Sequence, residues 1–233
     1  MLGQGMIDAQ WHIMNNAEQV AHAAVHRIQL KAQEAISHRG VFKMVLAGGT
    51  TPKRVYELLA EHHQQWSQWQ LYIGDERCLD INDPERNSVM ISQTWLDKIH
   101  FPRENFYPIN AELGPEAAAK DYAQVIDSAL PFDLVLLGMG EDGHTASLFP
   151  RHQYSDNERV HAVYNAPKAP SERVSLSKLS LSNSEQVMIL ITGSNKQAAI
   201  RQWQQGEELP INQIQSMHHL DILIDSDAMA QNK

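Results

Sequence analysis

The chain is most informative first in what it has little of. It carries one cysteine, Cys78. No internal disulfide framework can form, and that usage fits a reducing compartment. No apolar run approaches the roughly 20 residues that a bilayer-spanning helix needs. The opening MLGQGMIDAQ has no basic segment followed by an apolar core. No secretory leader is visible in it, and a cytoplasmic protein is expected. Basic residues are in deficit, with 19 Lys and Arg against 28 Asp and Glu and a formal net charge of -9. Such a balance argues against a nucleic-acid partner, and no basic helix-turn-helix segment is found. Dinucleotide-binding and Walker spacings are absent, as is the G-x-S-x-G elbow of serine hydrolases. What is present is 233 residues with 42% hydrophobic content. That is enough for one large α/β domain over residues 1–233, with oligomeric state left open.

The stretch LVLLGMGEDGHTASLFP, Leu134 to Pro150, organises the rest. Its apolar start reads as a strand buried on both faces. Gly138, Gly140 and Gly143 then loosen the chain around Glu141, Asp142 and His144. Thr145 to Leu148 reads as a short helix stopped by Pro150. A packing turn accounts for glycines but not for an acid two residues before a histidine. A site that needs a proton acceptor and a group to orient it accounts for both.

Two further strand–glycine–helix junctions occur. Val41 to Leu46 reads as a strand, followed by AGGTTP and a helical run through Val55, Leu58 and Leu59. Thr51 suits the cap and Pro52 the first turn, leaving N–H groups and hydroxyls free for an anion. Val187 to Ile191 runs into TGSNK and a helix through Ala198 to Trp203. Lys196 lies near that helix start, where the dipole disfavours a cation unless an anion joins it. Between these, Gln70 to Ile73 is a strand followed at once by Gly74-Asp75-Glu76-Arg77. Arg77 can grip a phosphate or carboxylate as a fork, and Asp75 can serve as a base or accept from sugar hydroxyls. Cys78 is read as a packed apolar group.

The remaining elements complete a strand–helix rhythm. Asn16 is expected to cap a helix through Val20, Ala24, Ile28 and Ala32, broken at Gly40 and carrying solvated His22 and His26. Ile91 to Ile99 reads as a helix, Phe106 to Ile109 as a strand, and Pro115 to Leu130 as a long helix. Val160 to Tyr164 is another strand, the alternating Glu172 to Leu181 a further one, and Leu220 to Ile224 the last. The pattern implies right-handed crossovers and a mostly parallel sheet.

In order, AGGTTP, GDER, GMGEDGHTASLFP, PKAPSERVSLS and TGSNK resemble the 6-phosphogluconolactonase family, the lactonases related to glucosamine-6-phosphate deaminases. The resemblance spans about Phe42 to Asp225. Ala47 and Thr50 stand where the family commonly has serine. Arg173-Val-Ser-Leu-Ser stands for R-I-T-L-T, and HHLDILID lacks an expected tryptophan. The resemblance implies a three-layer Rossmann-like α/β fold, a mostly parallel sheet with helices on both faces, and hydrolysis of 6-phospho-D-glucono-1,5-lactone, a small sugar-phosphate lactone, without metal or organic cofactor. On this reading the catalytic group comprises His144, Asp142, Arg77 and Asp75. Gly48, Gly49, Thr50, Thr51, Glu76, Gly140, Arg173 and Lys196 bind substrate. Whether Arg77 serves the phosphate or the lactone end is open. The alternatives are a glucosamine-6-phosphate deaminase-like isomerase with Asp75 as base, and a non-catalytic sugar-phosphate sensor.

Overall fold

The computed structural model describes residues 8–229. In chain order the elements are β1 (Gln10–Met14), α1 (Ala17–Arg39), β2 (Phe42–Leu46), α2 (Thr50–Leu59), β3 (Trp69–Ile73), β4 (Asp75–Arg77) and α3 (Asn87–Ile91). They continue with β5 (Phe106–Tyr107), α4 (Pro115–Asp127), β6 (Phe132–Gly138), β7 (Val160–Val163) and β8 (Arg173–Leu176). The last are α5 (Lys178–Ser182), β9 (Ser184–Ile191), α6 (Gln197–Gln204) and β10 (His219–Asp225). Among the described residues no helix is long and apolar enough to cross a membrane.

Seven strands form one sheet in the order β1-β10-β9-β6-β2-β3-β5, and every neighbouring pair in it is parallel. This is the three-layer, mostly parallel architecture expected. All carboxyl ends therefore open on one edge. Leu134, Val135, Leu136 and Leu137 of β6 are buried, as a continuous apolar run at the centre of a covered sheet must be. Each such side chain contributes roughly 1.5–3 kcal/mol of burial free energy. Helix α1 packs on α2 and on β10, β2 and β6. It begins as its spacing predicts: Asn16 Oδ1 accepts the Gln19 N–H at 2.9 Å, and Gly40 closes it at φ 75°. That cap is worth about 1 kcal/mol.

A second sheet was not foreseen. It has three strands in the order β4-β8-β7, both pairs antiparallel, with α4 packed behind β7 and β8. Only Gly74 separates β3 of the large sheet from β4 of the small one. Its N–H donates to Leu46 O at 2.9 Å, and its carbonyl accepts the Leu176 N–H at 2.8 Å, so one residue ties both sheets together.

Several local expectations need correction. β1 escaped notice because five residues on a sheet edge, QWHIM, carry too little periodicity to register. The stretch Thr145 to Leu148 is not a helix. It closes on itself through a Thr145–Leu148 bridge, with Ala146 held at φ 48°, because the Thr145 and Ser147 hydroxyls are bonded to Gly138 and Asp75 instead. The alternation from Glu172 to Leu181 is a strand only over Arg173–Leu176; Ser177 then caps α5 by accepting the Ser180 N–H at 3.1 Å. Gly49, at φ 104°, rather than Thr51, precedes the first helical residue of α2. The helix expected over Ile91 to Ile99 begins earlier, at Asn87, and widens into a π turn over Ser92–Leu96.

Candidate functional site

Three loops from the large sheet and the exposed face of the small sheet enclose a cavity of about 520 Å³. It lies at the carboxyl edge of the parallel strands, where doubly wound sheets bind ligands. Of the twelve residues singled out from the sequence, Gly48, Gly49, Thr50, Thr51, Asp75, Arg77, Gly140, His144, Arg173 and Lys196 line it. A larger hollow of about 800 Å³ lies on the other side of Phe149. It contains none of these residues, so the smaller cavity is where the chemistry converges.

The loop after β6 places the imidazole. His144 Nδ1 lies 2.5 Å from Asp142 Oδ1, and the same oxygen accepts the His144 backbone N–H at 3.2 Å. A carboxylate only accepts, so Nδ1 carries the proton and Nε2 presents its lone pair. Burial pushes the Asp142 carboxyl up, but the side-chain and backbone bonds it accepts from His144 outweigh it and hold the group below the usual range. The loop is closed by Gly140 N–H to His144 O at 2.8 Å and Gly143 N–H to Gly140 O at 3.1 Å. Glycine is required at 140, because a Cβ there would sit 2.0 Å from His144 Nδ1. Its role is to let the ring lie against the backbone, a reason the sequence reading did not supply.

The small sheet places a charged row. Arg77 and Arg173 face each other across β4 and β8, and Asp75 lies two residues from Arg77 on the same side. Asp75 is nearly buried and accepts from Ser147 Oγ at 2.6 Å and Asn87 Nδ2 at 3.3 Å. Arg173 donates to the carbonyls of Pro170, Lys168 and Ala169, and its guanidinium sits 5.7 Å from the Phe149 ring centroid. Burial holds its pKa below the ordinary arginine value, against the opposing pull of Asp75. Arg77 donates to Glu85 O, and its Nε is buried without a partner among the described residues. Two guanidiniums side by side, with neither in a salt bridge among the described residues, make a seat for an anion.

Glu76 is a correction. As the middle residue of β4 it points away from the cavity and is fully buried. It accepts the N–H groups of Arg77, Asn87 and Ser88 at 2.7–2.9 Å and lies 3.6 Å from Arg86 Nε. It caps α3 from a distant strand and does not reach a substrate. Strand alternation separates it from Asp75 and Arg77.

The opposite wall is also cationic. Thr50 and Thr51 open α2, with Thr51 Oγ1 2.6 Å from Thr192 Oγ1. Lys196 ends the turn Ser194–Lys196 before α6. Burial, and after it the repulsion of Lys168, lower its pKa; Glu141 and Asp142 oppose them without prevailing. Glu141 is held below its usual value by the bond from Asn195 and then by the charges of Lys168 and Lys196. Lys168, Asn87 and Thr192 line the cavity and were not singled out from sequence. Lys168 alone left a signal, the doubly proline-punctuated NAPKAPS. Asn87 was hidden because its tie to Asp75 is nonlocal; it also packs on Gly48, where a Cβ would fall 2.1 Å from Asn87 Oδ1. Cys78 is half-buried, and burial raises its thiol to about 11, consistent with a packing role.

A family model described as glucosamine-6-phosphate isomerases/6-phosphogluconolactonase matches residues 15–223. A protein of Synechocystis named 6-phosphogluconolactonase is 33% identical over 201 residues, covering 82% of this chain and 83% of that one. The crystal structure of a Thermotoga maritima protein of the same name superposes with a TM-score of 0.87 at 26% identity, covering 94% of this chain and 100% of the other. A monomeric glucosamine-6-phosphate deaminase has the same fold, with a TM-score of 0.81 at 23% identity over 94% of this chain and 98% of its own.

Proposed function

This chain belongs to the glucosamine-6-phosphate isomerase/6-phosphogluconolactonase family, and on that premise we propose that it hydrolyses 6-phospho-D-glucono-1,5-lactone to 6-phosphogluconate. The observation that carries the reading is the His144–Asp142 pair, with Nε2 unengaged among the described hydrogen bonds and the ring at the rim of a cavity with cationic walls. A lactone carbonyl is already electrophilic, so activated water and a stabilised oxyanion suffice.

Water attacks C1 while His144 Nε2 takes its proton, and Asp142 steadies the imidazolium that forms. The negative charge passes to the carbonyl oxygen, for which the Arg77 guanidinium at the cavity wall is the counter-charge. As C1 to ring-oxygen cleavage proceeds, His144 returns the proton to the leaving oxygen, which becomes the 5-hydroxyl. The carboxylic acid released at C1 then ionises. The phosphate sits at the start of α2, on the N–H groups and hydroxyls of Thr50 and Thr51, with Gly49 allowing close approach and Lys196 and Arg173 as counter-charges. Asp75 accepts from sugar hydroxyls. Both its oxygens are already engaged, by Ser147 and Asn87. That favours a positioning role over the base an isomerase would need. Both sheets contribute to the cavity, which supports treating residues 1–233 as one catalytic domain. The net charge of -9 and the single cysteine support a small-molecule substrate and a cytoplasmic setting.

The test is hydrolysis of the lactone generated in situ from glucose 6-phosphate, with the spontaneous rate subtracted and glucosamine 6-phosphate assayed in parallel. Wild type is expected to accelerate only the first, and His144→Ala to lose roughly 10²–10⁴-fold in kcat. Loss of less than tenfold in a folded variant removes His144 from the centre of the mechanism.

A further inference from the structure

Ser147 lies outside the cavity and is fully buried, yet every polar atom it has is used on a different element. Its Oγ donates to Asp75 Oδ2 at 2.6 Å, in β4 of the small sheet. Its N–H donates to Ser175 Oγ at 3.2 Å, in β8 of the same sheet. Its carbonyl accepts the Tyr154 hydroxyl at 3.0 Å, and that hydroxyl also accepts the Phe149 N–H at 3.0 Å. Immediately before it, Ala146 is held at φ 48°, a conformation a non-glycine residue keeps only when its surroundings impose it. Three residues before it is His144, on the loop from β6 of the large sheet.

Two halves of the site thus ride on separate sheets. The proton-transfer pair Asp142–His144 belongs to a loop of the parallel sheet, and Asp75, Arg77 and Arg173 belong to antiparallel strands. Beyond Gly74, the described hydrogen bonds that join the loop after β6 to β4 and β8 are those of this serine. From this we infer that Ser147 is a positioning residue: it sets the distance between the imidazole and the carboxylate–guanidinium row, and it fixes one oxygen of Asp75. The inference rests on the lactonase reading for its effect on turnover. It does not rest on that reading for its effect on Asp75.

The stabilising interaction is a hydrogen bond from a buried hydroxyl to a carboxylate, the kind whose loss costs most. Without it the Asp75 carboxylate loses a fixed partner, and its orientation loosens.

The experiment compares wild type, Ser147→Ala, Ser147→Cys, Asp75→Asn and the Ser147→Ala/Asp75→Asn double variant. Carboxyl 13C NMR of the free protein at fixed pH follows the Asp75 environment, and steady-state lactone hydrolysis follows turnover. Ser147→Ala is expected to fold, to move the Asp75 carboxyl resonance, and to lower kcat/KM roughly 10–100-fold, the equivalent of one hydrogen bond to a charged group. The isosteric Ser147→Cys, a weaker donor, falls between. In the Asp75→Asn background the serine change adds little, because the charge it serves is gone. An unmoved Asp75 carboxyl resonance in Ser147→Ala, or fully additive losses in the double variant, overturns the inference. Absence of lactone hydrolysis by the wild type would instead overturn the functional reading and leave the NMR result to judge the serine.

Discussion

The two sheets serve the cavity by different means. From the parallel sheet, the polar groups arrive on loops that follow the strands: Gly49 to Thr51 after β2, Gly140 to His144 after β6, Thr192 to Lys196 after β9. From the antiparallel sheet they stand on the strands themselves, Asp75 and Arg77 on β4 and Arg173 on β8. Loop groups are placed by turns, caps and close backbone approaches, all of which tolerate adjustment. Strand groups are placed by register, which admits no partial shift: a slip of one residue exchanges Arg77 for Glu76. On the proposed mechanism the proton chemistry and the phosphate contacts of Thr50, Thr51 and Lys196 fall to the adjustable part, and the Asp75–Arg77–Arg173 row to the rigid part.

That contrast can be broken at measurable points. The largest effect is expected at Glu76, the residue of β4 that faces inward. Glu76→Ala leaves the buried N–H groups of Arg77, Asn87 and Ser88 without their acceptor and takes one of two carboxylates from Arg86, and should cost about 3–5 kcal/mol, read as a shift in urea midpoint at unchanged slope. If activity fell while stability held, Glu76 would belong with the substrate after all. Next comes Gly140→Ala in the loop. A methyl group 2.0 Å from His144 Nδ1 forces the ring aside, and a displacement of about 1 Å costs on the order of 10²-fold in turnover. KM should hardly move, since the phosphate seat is untouched; a changed KM with normal kcat would contradict this division of labour.

Lys196→Ala is expected to raise KM about tenfold with kcat nearly unchanged, as for a charge-assisted contact equally present in ground and transition states. The pH dependence follows from the lowered pKa of Lys196. The protonated lysine is the form that attracts phosphate, and a depressed pKa means this form is lost sooner as pH rises. Apparent affinity should therefore fall on the alkaline side below the range of an ordinary lysine. The smallest expected effect is at Lys168, whose charge helps push Lys196 down. Lys168→Ala should move that alkaline limb upward; a downward move would show that Lys168 does not act on Lys196 by repulsion.

The same contrast explains what was legible in advance. Loop-borne residues announce themselves through local signals, glycines after an apolar run and a cap before a periodic one, and His144, Asp142, Thr50, Thr51 and Lys196 were found that way. In GDER the charges were visible, but their sorting was not. Which of three adjacent charged residues faces a ligand depends on β4 pairing with β8, almost a hundred residues later in the chain. The same holds for Asn87 and Ser147, whose partners are distant in sequence. TASL, Thr145 to Leu148, reads as helix because nothing local reveals that both its hydroxyls are engaged elsewhere.

By itself the sequence determined the parallel α/β core, since buried apolar runs alternating with amphipathic helices leave few other packings. It also supplied the groups proposed to move a proton and hold a phosphate, because candidates of that kind are matters of residue type and local turn chemistry. Only the tertiary structure decided that a second sheet exists, that Glu76 turns inward while Asp75 and Arg77 turn out, and that one buried serine links the two halves. The physical reason is that hydrogen bonds and strand register between remote segments are set by the fold as a whole. No window of neighbouring residues contains them.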